Sequence, residues 1–310
     1  MTNDINTGTR VATTAADLKP SDALRIRRHH LGKKSAHWVL EFLIWTLLVV
    51  VAVVMLLPIL WMFATSLRPP AQSFSLPPSF FPTQWRWENY WHVITSERIG
   101  YPLLFWNSIY LAVAVTVLQL ATCSLAAFAF ARLRFPGRDL LFFTLLASMM
   151  IPGVVTMVPL FMIVSRLNLT DNHLSIILPA ATSAFGIFLL RQFFLTLPSE
   201  LSDAAKIDGA GYFTLYWRIM LPLVGPGLST LGVFAFLGNW NSFLFPLLFL
   251  TSRDKMTLPL ALVSLSGYMG SGSQSEILAA IFMSILPLAL IFVFAQRFIL
   301  QGIALSGIKG

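Results

Sequence analysis

The residues whose types and spacing could support chemistry form two small groups. The first lies in a polar loop between two apolar runs and consists of Glu200, Asp203, Ala204, Ala205, Asp208 and Gly209. The second is uncharged, lies within apolar runs, and consists of Gln119, Asn239, Trp240 and Asn241. Amides hydrogen-bond hydroxyl groups and aromatic rings cover apolar ring faces, so the second group fits a neutral, hydroxyl-rich solute. Hydrogen bonding between helices in lipid is the alternative interpretation of each residue.

The positions of the ionisable residues argue against ion-coupled and catalytic chemistry. The ionisable residues of the apolar runs all lie near their ends: Glu41, Asp139, Arg191, Glu276 and Arg297. A charge buried in lipid is costly and usually marks a proton or ion pathway, so this pattern argues against a proton-coupled or sodium-coupled carrier. The chain has no H-E-x-x-H motif, and its five histidines lie outside the runs or at their margins. These facts argue against an intramembrane metalloprotease and against a haem-ligating pair.

The sequence also predicts that this chain holds no cofactor of its own. A single cysteine, Cys123, can form neither an internal disulfide nor a thiolate metal cluster. The segment closest to a phosphate-binding loop runs from Gly302 to Lys309, but its lysine is displaced by one position and no Ser or Thr follows. If the protein pumps a solute, a partner must therefore bind Mg²⁺ and hydrolyse ATP.

Composition places these groups in a membrane protein. Of 310 residues, 56% are hydrophobic and only 11% are charged, whereas soluble domains carry about a quarter charged residues. Six apolar runs reach the roughly 20 residues that a transmembrane helix needs. They are approximately 39–63, 103–130, 140–164, 174–194, 223–250 and 278–299. We therefore predict an all-α, polytopic membrane protein whose six-span domain covers residues 39–310.

The distribution of positive charge predicts the orientation. The net charge is +8, but the basic residues flank the apolar runs, which indicates membrane topology and not nucleic-acid binding. With the N-terminus in the cytoplasm, the inner segments hold 15 Lys and Arg residues and the outer segments 6. Cytoplasmic loops are enriched in Lys and Arg, so both termini are predicted to be cytoplasmic. The tail, residues 1–38, lacks apolar periodicity and is predicted to be disordered. The first run is too long for a signal-peptide core.

The loop at 195–222 reads as a helix, a turn and a second helix. Ser199 is a suitable N-cap, and Glu200 and Asp203 lie where the helix dipole favours anions. Gly209 and Gly211 are suited to ending the first helix. Ala204 and Ala205 would give this helix a small-residue face. A short helix of this kind outside the membrane is suited to docking into a groove on another protein.

This loop resembles the signature of the permease subunits of bacterial ABC importers. That signature is E-A-A, three residues, G, nine residues and I-x-L-P. The matching residues here are Asp203, Ala204, Ala205, Gly209, Ile219, Leu221 and Pro222. Asp203 replaces the usual glutamate, which keeps the charge and shortens its reach. Carbohydrate importers related to the maltose transporter are similar in further stretches, at Met150–Phe161, Gly238–Pro246 and Phe294–Gly310. The last stretch looks like the C-terminus of the second, smaller permease.

The resemblance implies a type I importer permease in the bacterial plasma membrane. Its expected partners are a second permease in a heterodimer, two ATPase subunits or domains that use ATP and Mg²⁺, and an extracytoplasmic solute-binding protein. The solute would be a di- or oligosaccharide or a related carbohydrate. The loop helix would couple to the ATPase through Glu200, Asp203, Ala204, Ala205, Asp208 and Gly209.

Two other interpretations remain open from the sequence. The nearer one is the same class of importer for a polyol, a glycerol phosphodiester or an amino sugar. The more distant one is a stand-alone membrane carrier or a membrane enzyme. Co-purification separates the second from an importer, because a stand-alone protein would not bind an ATPase stoichiometrically.

Overall fold

The structure is a computed structural model that describes residues 20–69, 72, 81–268 and 274–307. Side chains are described for residues 38, 40–69, 72, 81–264 and 274–294. Residues 1–19, half of the tail that the sequence predicts to be disordered, lie outside this range, and residues 20–38, the other half, belong to the helix Pro20–Ser66. The chain divides into two compact units, residues 1–61 and 62–310.

The described chain is built from helices, and no strand occurs among the described residues. The prediction of an all-α fold is therefore confirmed. In chain order the helices are α1 Pro20–Ser66, α2 Glu88–Thr95, α3 Tyr101–Arg132, α4 Arg138–Ser148, α5 Gly153–Arg166, α6 Leu174–Ile177, α7 Ala184–Thr196, α8 Glu200–Ile207, α9 Tyr212–Thr214, α10 Leu221–Leu223, α11 Gly225–Trp240, α12 Leu244–Phe249, α13 Leu258–Tyr268 and α14 Gln274–Gly307. Short 3₁₀ turns cover Pro179–Ala181 and Arg253–Lys255, and a π-helical segment covers Leu215–Met220.

Three described segments are long and apolar enough to cross a membrane as single helices. They are Leu40–Ser66, Tyr101–Arg132 and Gln274–Phe294. By length and composition the total reaches six if each of three bent helix pairs counts as one span. Two of these pairs include polar loop segments, because α7 is paired with α8 and the Tyr212–Leu223 segment with α11. Since α8 carries Glu200, Asp203 and Lys206, we assign it to the polar loop and not to a span.

The third predicted run, 140–164, is two helices and not one. Helices α4 and α5 meet at an angle of 101°. Pro152 immediately precedes α5, and a proline disfavours the helical conformation of the residue before it. The break at Met149–Pro152 therefore follows from one proline within an otherwise apolar run.

The fifth predicted run, 223–250, is also interrupted. Helix α11 ends at Trp240, and α12 begins at Leu244. Pro246 lies in the first turn of α12, where its missing N–H costs no intrahelical hydrogen bond. A continuous helix would place the Pro246 ring against the carbonyl of Ser242. The break between α11 and α12 avoids this clash.

Helix α13 was not expected from the sequence, because it lies in a segment predicted as an outer loop. It has 11 residues, so at about 1.5 Å per residue it is too short to cross a bilayer. It is nevertheless apolar on the side that packs inward, and Leu258, Leu260 and Ala261 are buried. A search for long apolar runs cannot find such a helix.

The core of residues 62–310 is organised around α3. One end of α3 contributes Tyr101 and Leu104 to a cluster that also contains Trp240. Its middle packs with α5, α6 and α12. Its other end contributes Phe128 to a third cluster, which we call the loop-side core and which consists of Cys123, Ala127, Phe128, Ile187, Leu190, Phe194, Ala205, Leu215, Tyr216, Met220, Val224 and Leu231. One long helix therefore connects the two groups of candidate residues.

Close packing in the loop-side core depends on Gly186. A Cβ atom there would lie 2.9 Å from the Cys123 Sγ and 3.0 Å from the Leu231 side chain. We expect Gly186→Val to lower the free energy of unfolding by roughly 1–3 kcal/mol, because overpacking forces neighbouring helices apart. Thermal unfolding of the detergent-purified chain measures this loss. Gly232→Ala is the control, since its Cβ would lie an ordinary 3.6 Å from Leu120. An unchanged Tm for Gly186→Val would contradict the close approach.

Candidate coupling helix and solute path

Helix α8 begins where the sequence predicts, but without the predicted side-chain cap. Ser199 is the N-cap residue, has a helical backbone conformation, and makes no side-chain capping bond. Its carbonyl accepts hydrogen bonds from the backbone N–H groups of Ser202 and Asp203. Glu200 and Asp203 occupy the first turn, where negative charge interacts favourably with the helix dipole.

The end of α8 confirms Gly209 as a helix stop and shows how it acts. Gly209 has φ of +80°, and its N–H bonds to the Lys206 carbonyl. The N–H of Ala210 bonds to the Ala205 carbonyl at 2.8 Å. These two bonds form a Schellman motif, which needs a left-handed residue at the position of Gly209. Apart from the adjoining residues, no atom of the described chain lies within 4 Å of a Cβ built on Gly209, so glycine is required by the backbone and not by space.

Helix α8 has one face in the protein and one face outside it. Ala205 is 5% exposed and packs in the loop-side core, and Ser202 is also buried. The remaining predicted coupling residues, Glu200, Asp203, Ala204, Asp208 and Gly209, are exposed. The structure therefore divides the predicted set, because Ala205 attaches the helix and the others form its free surface.

The free surface of α8 also contains Ile207, which sequence reasoning missed. Its side chain is 86% exposed. Residues 200, 203, 204 and 207 follow the three- and four-residue spacing of one helical face, so Ile207 continues the row of Glu200, Asp203 and Ala204. That spacing was the available signal in the sequence. A large apolar side chain at the end of an acidic row is a suitable centre for a protein contact.

The buried face of α8 connects to α3 through the segment that follows it. Tyr216, in the π-helical segment, is 4% exposed and shares the loop-side core with Ala205. Its hydroxyl lies 2.7 Å from the Ser124 Oγ on α3, and its ring packs on Phe128 with 5.4 Å between centroids. Displacement of α8 would therefore be transmitted to the C-terminal part of α3 by packed and hydrogen-bonded groups.

A second connection joins the start of the loop to α3. The Arg132 guanidinium, at the end of α3, donates hydrogen bonds to the carbonyl oxygens of Phe194 and Leu197. These carbonyls belong to the last turn of α7 and to the residue after it. The loop is thus held to α3 on both sides of α8.

The structure separates the predicted solute-path residues. Trp240 is 3% exposed and packs against Phe236 and Phe105, with ring centroids 5.9 and 5.7 Å away. Asn241 is exposed and Asn239 is partly buried. Each of these two amides donates to the carbonyl four residues earlier in the chain. Their amide oxygens have no hydrogen bond among the described residues, which leaves them available as acceptors.

Gln119 makes the kind of interhelical contact that the alternative interpretation expects. Its amide donates to the Ala180 carbonyl at 2.7 Å. Thr122, one turn further along α3, donates to the Ala181 carbonyl at 2.6 Å. No hydrogen bond between described residues joins Gln119 to Asn239 or Asn241.

Away from α8, the Asp171 side chain joins the loop after α5 to the loop after α12. Its carboxylate accepts hydrogen bonds from the backbone N–H groups of Thr251 and Ser252 and from the Ser252 hydroxyl. Lys255 donates to it at 3.1 Å. These hydrogen bonds hold the pKa of the Asp171 carboxyl far below its usual range. The bonds from Ser252 lower the pKa most, and those from Thr251 and Lys255 lower it further.

The Asp171 cluster predicts a specific pH dependence. A carboxyl whose pKa is lower in the folded state than in the unfolded state stabilises the protein at pH values above its unfolded pKa of about 3.9. This stabilisation is lost as the pH falls through the folded pKa. We expect Asp171→Asn to lower Tm by the same amount at every pH from 8 to 5. The difference from the unmodified chain should shrink below about pH 4, where unfolded carboxyls protonate. Asp254→Asn is the control, since Asp254 is exposed in the loop that also carries Ser252 and Lys255. A Tm difference that already shrinks between pH 7 and 5 would contradict the depressed pKa.

The described residues contain no group of three or more His, Cys, Asp or Glu side chains placed to hold a metal ion.

Comparison with known proteins points to transport. The sequence model of a family described as the binding-protein-dependent transport system inner membrane component matches residues 123–304.

Relatives resemble the chain over most of its length. The arabinooligosaccharides transport system permease protein AraQ of Halalkalibacterium halodurans is 34% identical over 262 residues, which cover 84% of this chain and 93% of AraQ. The sn-glycerol-3-phosphate transport system permease protein UgpE of Yersinia enterocolitica is 31% identical and covers 83% of this chain and 93% of UgpE. The diacetylchitobiose uptake system permease protein NgcG of Streptomyces coelicolor is 33% identical and covers 81% of this chain and 83% of NgcG.

A solved structure shares the fold. It is a chain of a bacterial ABC transporter involved in the import of the acidic polysaccharide alginate, with a TM-score of 0.74 and 24% identity. The match covers 84% of this chain and 96% of that chain.

Proposed function

We propose that this chain, which belongs to the family of binding-protein-dependent transport system inner membrane components, is a permease subunit that moves a carbohydrate across the membrane when a partner hydrolyses ATP. The observation that carries the proposal is the division of α8 into a buried face at Ala205 and a free face at Glu200, Asp203, Ala204 and Ile207. A helix of this kind can receive force from a partner and transmit it to α3.

The proposed assembly contains a second permease, two ATPase subunits or domains, and an extracytoplasmic solute-binding protein. ATP and Mg²⁺ would bind to the ATPase partner, because this chain lacks the Gly-Lys-Ser/Thr geometry of a phosphate-binding loop. The two termini and α8 would lie in the cytoplasm, as the distribution of Lys and Arg predicts.

The proposed mechanism is a two-state switch of the spans. Closure of the ATPase dimer on ATP would draw the coupling helices together, and the motion would reach α3 through Tyr216 and Ser124. The spans would then change from inward-facing to outward-facing, and solute would pass from the binding protein into a cavity between the two permeases. The spans supply two stable arrangements, and the ATPase biases the equilibrium between them.

The solute class follows from the relatives and from the charges of the spans. AraQ and NgcG are named for arabinooligosaccharides and diacetylchitobiose, so a neutral oligosaccharide is the first candidate. UgpE, which is named for sn-glycerol-3-phosphate, supports a phosphorylated solute as the second. An anion would need a basic partner along its path, and the described ionisable residues of the spans lie near the ends of those spans. Within this chain, Asn239 and Asn241 are the candidates for solute contact.

Cysteine cross-linking from α8 tests the coupling role. The only cysteine of this chain is buried, so Cys123→Ala gives a chain without a thiol of its own. In membranes that contain the full transporter, Ala204→Cys should form a cross-link to an ATP-hydrolysing subunit through a short reagent that carries one maleimide and one photoactivated diazirine, because the diazirine needs no thiol on the partner. Ala205→Cys, one position away and buried, is the matched control and should react at least tenfold more slowly, because access controls thiol reactivity.

Two results would overturn the proposal. One is capture of no ATP-hydrolysing protein from Ala204→Cys in membranes that still take up solute. The other is labelling of Ala204→Cys by a membrane-impermeant maleimide added outside intact cells, since that would place α8 on the wrong side of the membrane.

A further inference from the structure

The connection between α3 and α4 forms an open cavity that the transport cycle described above does not use. Its volume is about 400 Å³, and it is lined by Arg134, Phe135, Gly137, Arg138, Asp139 and Leu140. We call it the basic cavity. It lies in a loop that the charge distribution predicts to be on the cytoplasmic side.

Two guanidinium groups give the basic cavity its charge. Arg134 is exposed and makes no hydrogen bond or ion pair with any described residue. Arg138 donates from its Nε to an Asp139 carboxylate oxygen at 2.8 Å and from its Nη1 to the Leu133 carbonyl at 3.5 Å, which leaves its Nη2 without a hydrogen bond to a described residue. Phe142 lies one turn beyond Arg138 on α4. The guanidinium carbon of Arg191, on α7, lies 4.1 Å from the centroid of the Phe142 ring. Arg134, Arg138 and Arg191 therefore lie in the same region of the described chain as the Asp139 carboxylate.

The surface beside the cavity is apolar. Leu140, Leu141 and Phe143 are each more than half exposed, at the start of α4. Helix α4 belongs to a bent pair that is apolar enough to cross a membrane, so these side chains would face acyl chains. A positively charged cavity next to an acyl-facing surface is complementary to a molecule that has both an anionic group and acyl chains.

We infer that the basic cavity binds the headgroup of an anionic phospholipid, with the phosphate between Arg134 and Arg138 and the acyl chains along Leu140 and Phe143. Guanidinium groups are suited to phosphate because they donate two parallel hydrogen bonds. A soluble phosphate compound would use the two arginines but would gain nothing from the apolar surface. Lipid is therefore favoured over free phosphate by the side chains beside the cavity.

Native mass spectrometry of the detergent-purified full chain tests this inference. The probes are dioleoylphosphatidylglycerol, dioleoylphosphatidylcholine and inorganic phosphate. We expect the unmodified chain to bind phosphatidylglycerol more tightly than phosphatidylcholine. Arg134→Gln should weaken phosphatidylglycerol binding about fivefold, the effect of one cation near an anionic membrane surface, and leave phosphatidylcholine binding unchanged.

Two control variants separate a site from a general charge effect. Arg166→Gln removes one exposed arginine at the far end of the α4–α5 pair and should not change phosphatidylglycerol binding. Asp139→Asn removes the opposing carboxylate and should tighten it. Equal losses from Arg134→Gln and Arg166→Gln would overturn the inference, as would weaker binding by Asp139→Asn. Displacement of phosphatidylglycerol by millimolar inorganic phosphate would show a soluble-anion site instead of a lipid site.

Discussion

Replacing Gly209 with valine is expected to abolish solute uptake while the chain still inserts into the membrane at its normal level. Gly209 has φ of +80° and supplies the left-handed residue that ends α8. A β-branched residue in this conformation is strained by roughly 1–3 kcal/mol, enough to unwind the last turn of an eight-residue helix. The free face of α8 would then lose its geometry, although a Cβ at this position would contact no other described residue.

Two further variants at this turn show whether backbone conformation is the cause. Gly209→Asn should retain a large part of the uptake, because asparagine tolerates the left-handed conformation. Gly211→Ala should be close to neutral, since Gly211 has an ordinary φ of −70° and open space around it. Uptake is measured with radiolabelled solute, and insertion by the amount of chain in the membrane fraction. Full uptake by Gly209→Val would exclude an essential role for this turn.

Replacing Ile207 with aspartate is expected to reduce uptake to less than about a tenth by weakening the contact with the ATPase partner. The side chain is 86% exposed, so its loss should leave the stability of the chain nearly unchanged. A buried apolar side chain at the centre of an interface is commonly worth about 2 kcal/mol or more, which corresponds to roughly a thirtyfold loss of affinity. Aspartate would also add a negative charge to an acidic row.

The measurement is co-purification of the ATPase subunit with the tagged chain, together with Tm. Ile207→Leu should preserve binding because it keeps the apolar volume. Lys206→Gln is a neighbouring control, since Lys206 makes only an exposed pair with Asp203 at 3.7 Å and such pairs contribute little. Normal ATPase recovery with Ile207→Asp would show that the exposed isoleucine is outside the interface.

Helix content and class follow from local sequence, and the structure agrees with those predictions. Apolar runs such as 103–130 must be helical in lipid because every backbone polar group needs an internal partner. Asp203 to Gly209 reads as a short helix with a glycine stop, and the Schellman bonds are the physical form of that stop. These features depend on residues close together in the chain.

Breaks within the apolar runs were predictable in part. Pro152 and Pro246 are visible in the sequence, and each lies at a break between two helices. Pro58, Pro159 and Pro287 lie inside helices. A proline can remain inside a helix where neighbouring groups satisfy the freed backbone carbonyl, and a linear pattern does not reveal where this occurs.

The sequence by itself determined that the chain is an apolar helical protein and that a small, acidic helix with a glycine stop lies between two of its runs. Those properties arise from solvation and from hydrogen bonds between near neighbours. Only the tertiary structure decided that Ala205 is buried while Ala204 is free, that Ile207 projects outward, and that Trp240 lies in a core cluster. Each of these outcomes depends on which face of a helix meets α3 or its neighbours, and that is set by contacts between residues tens of positions apart.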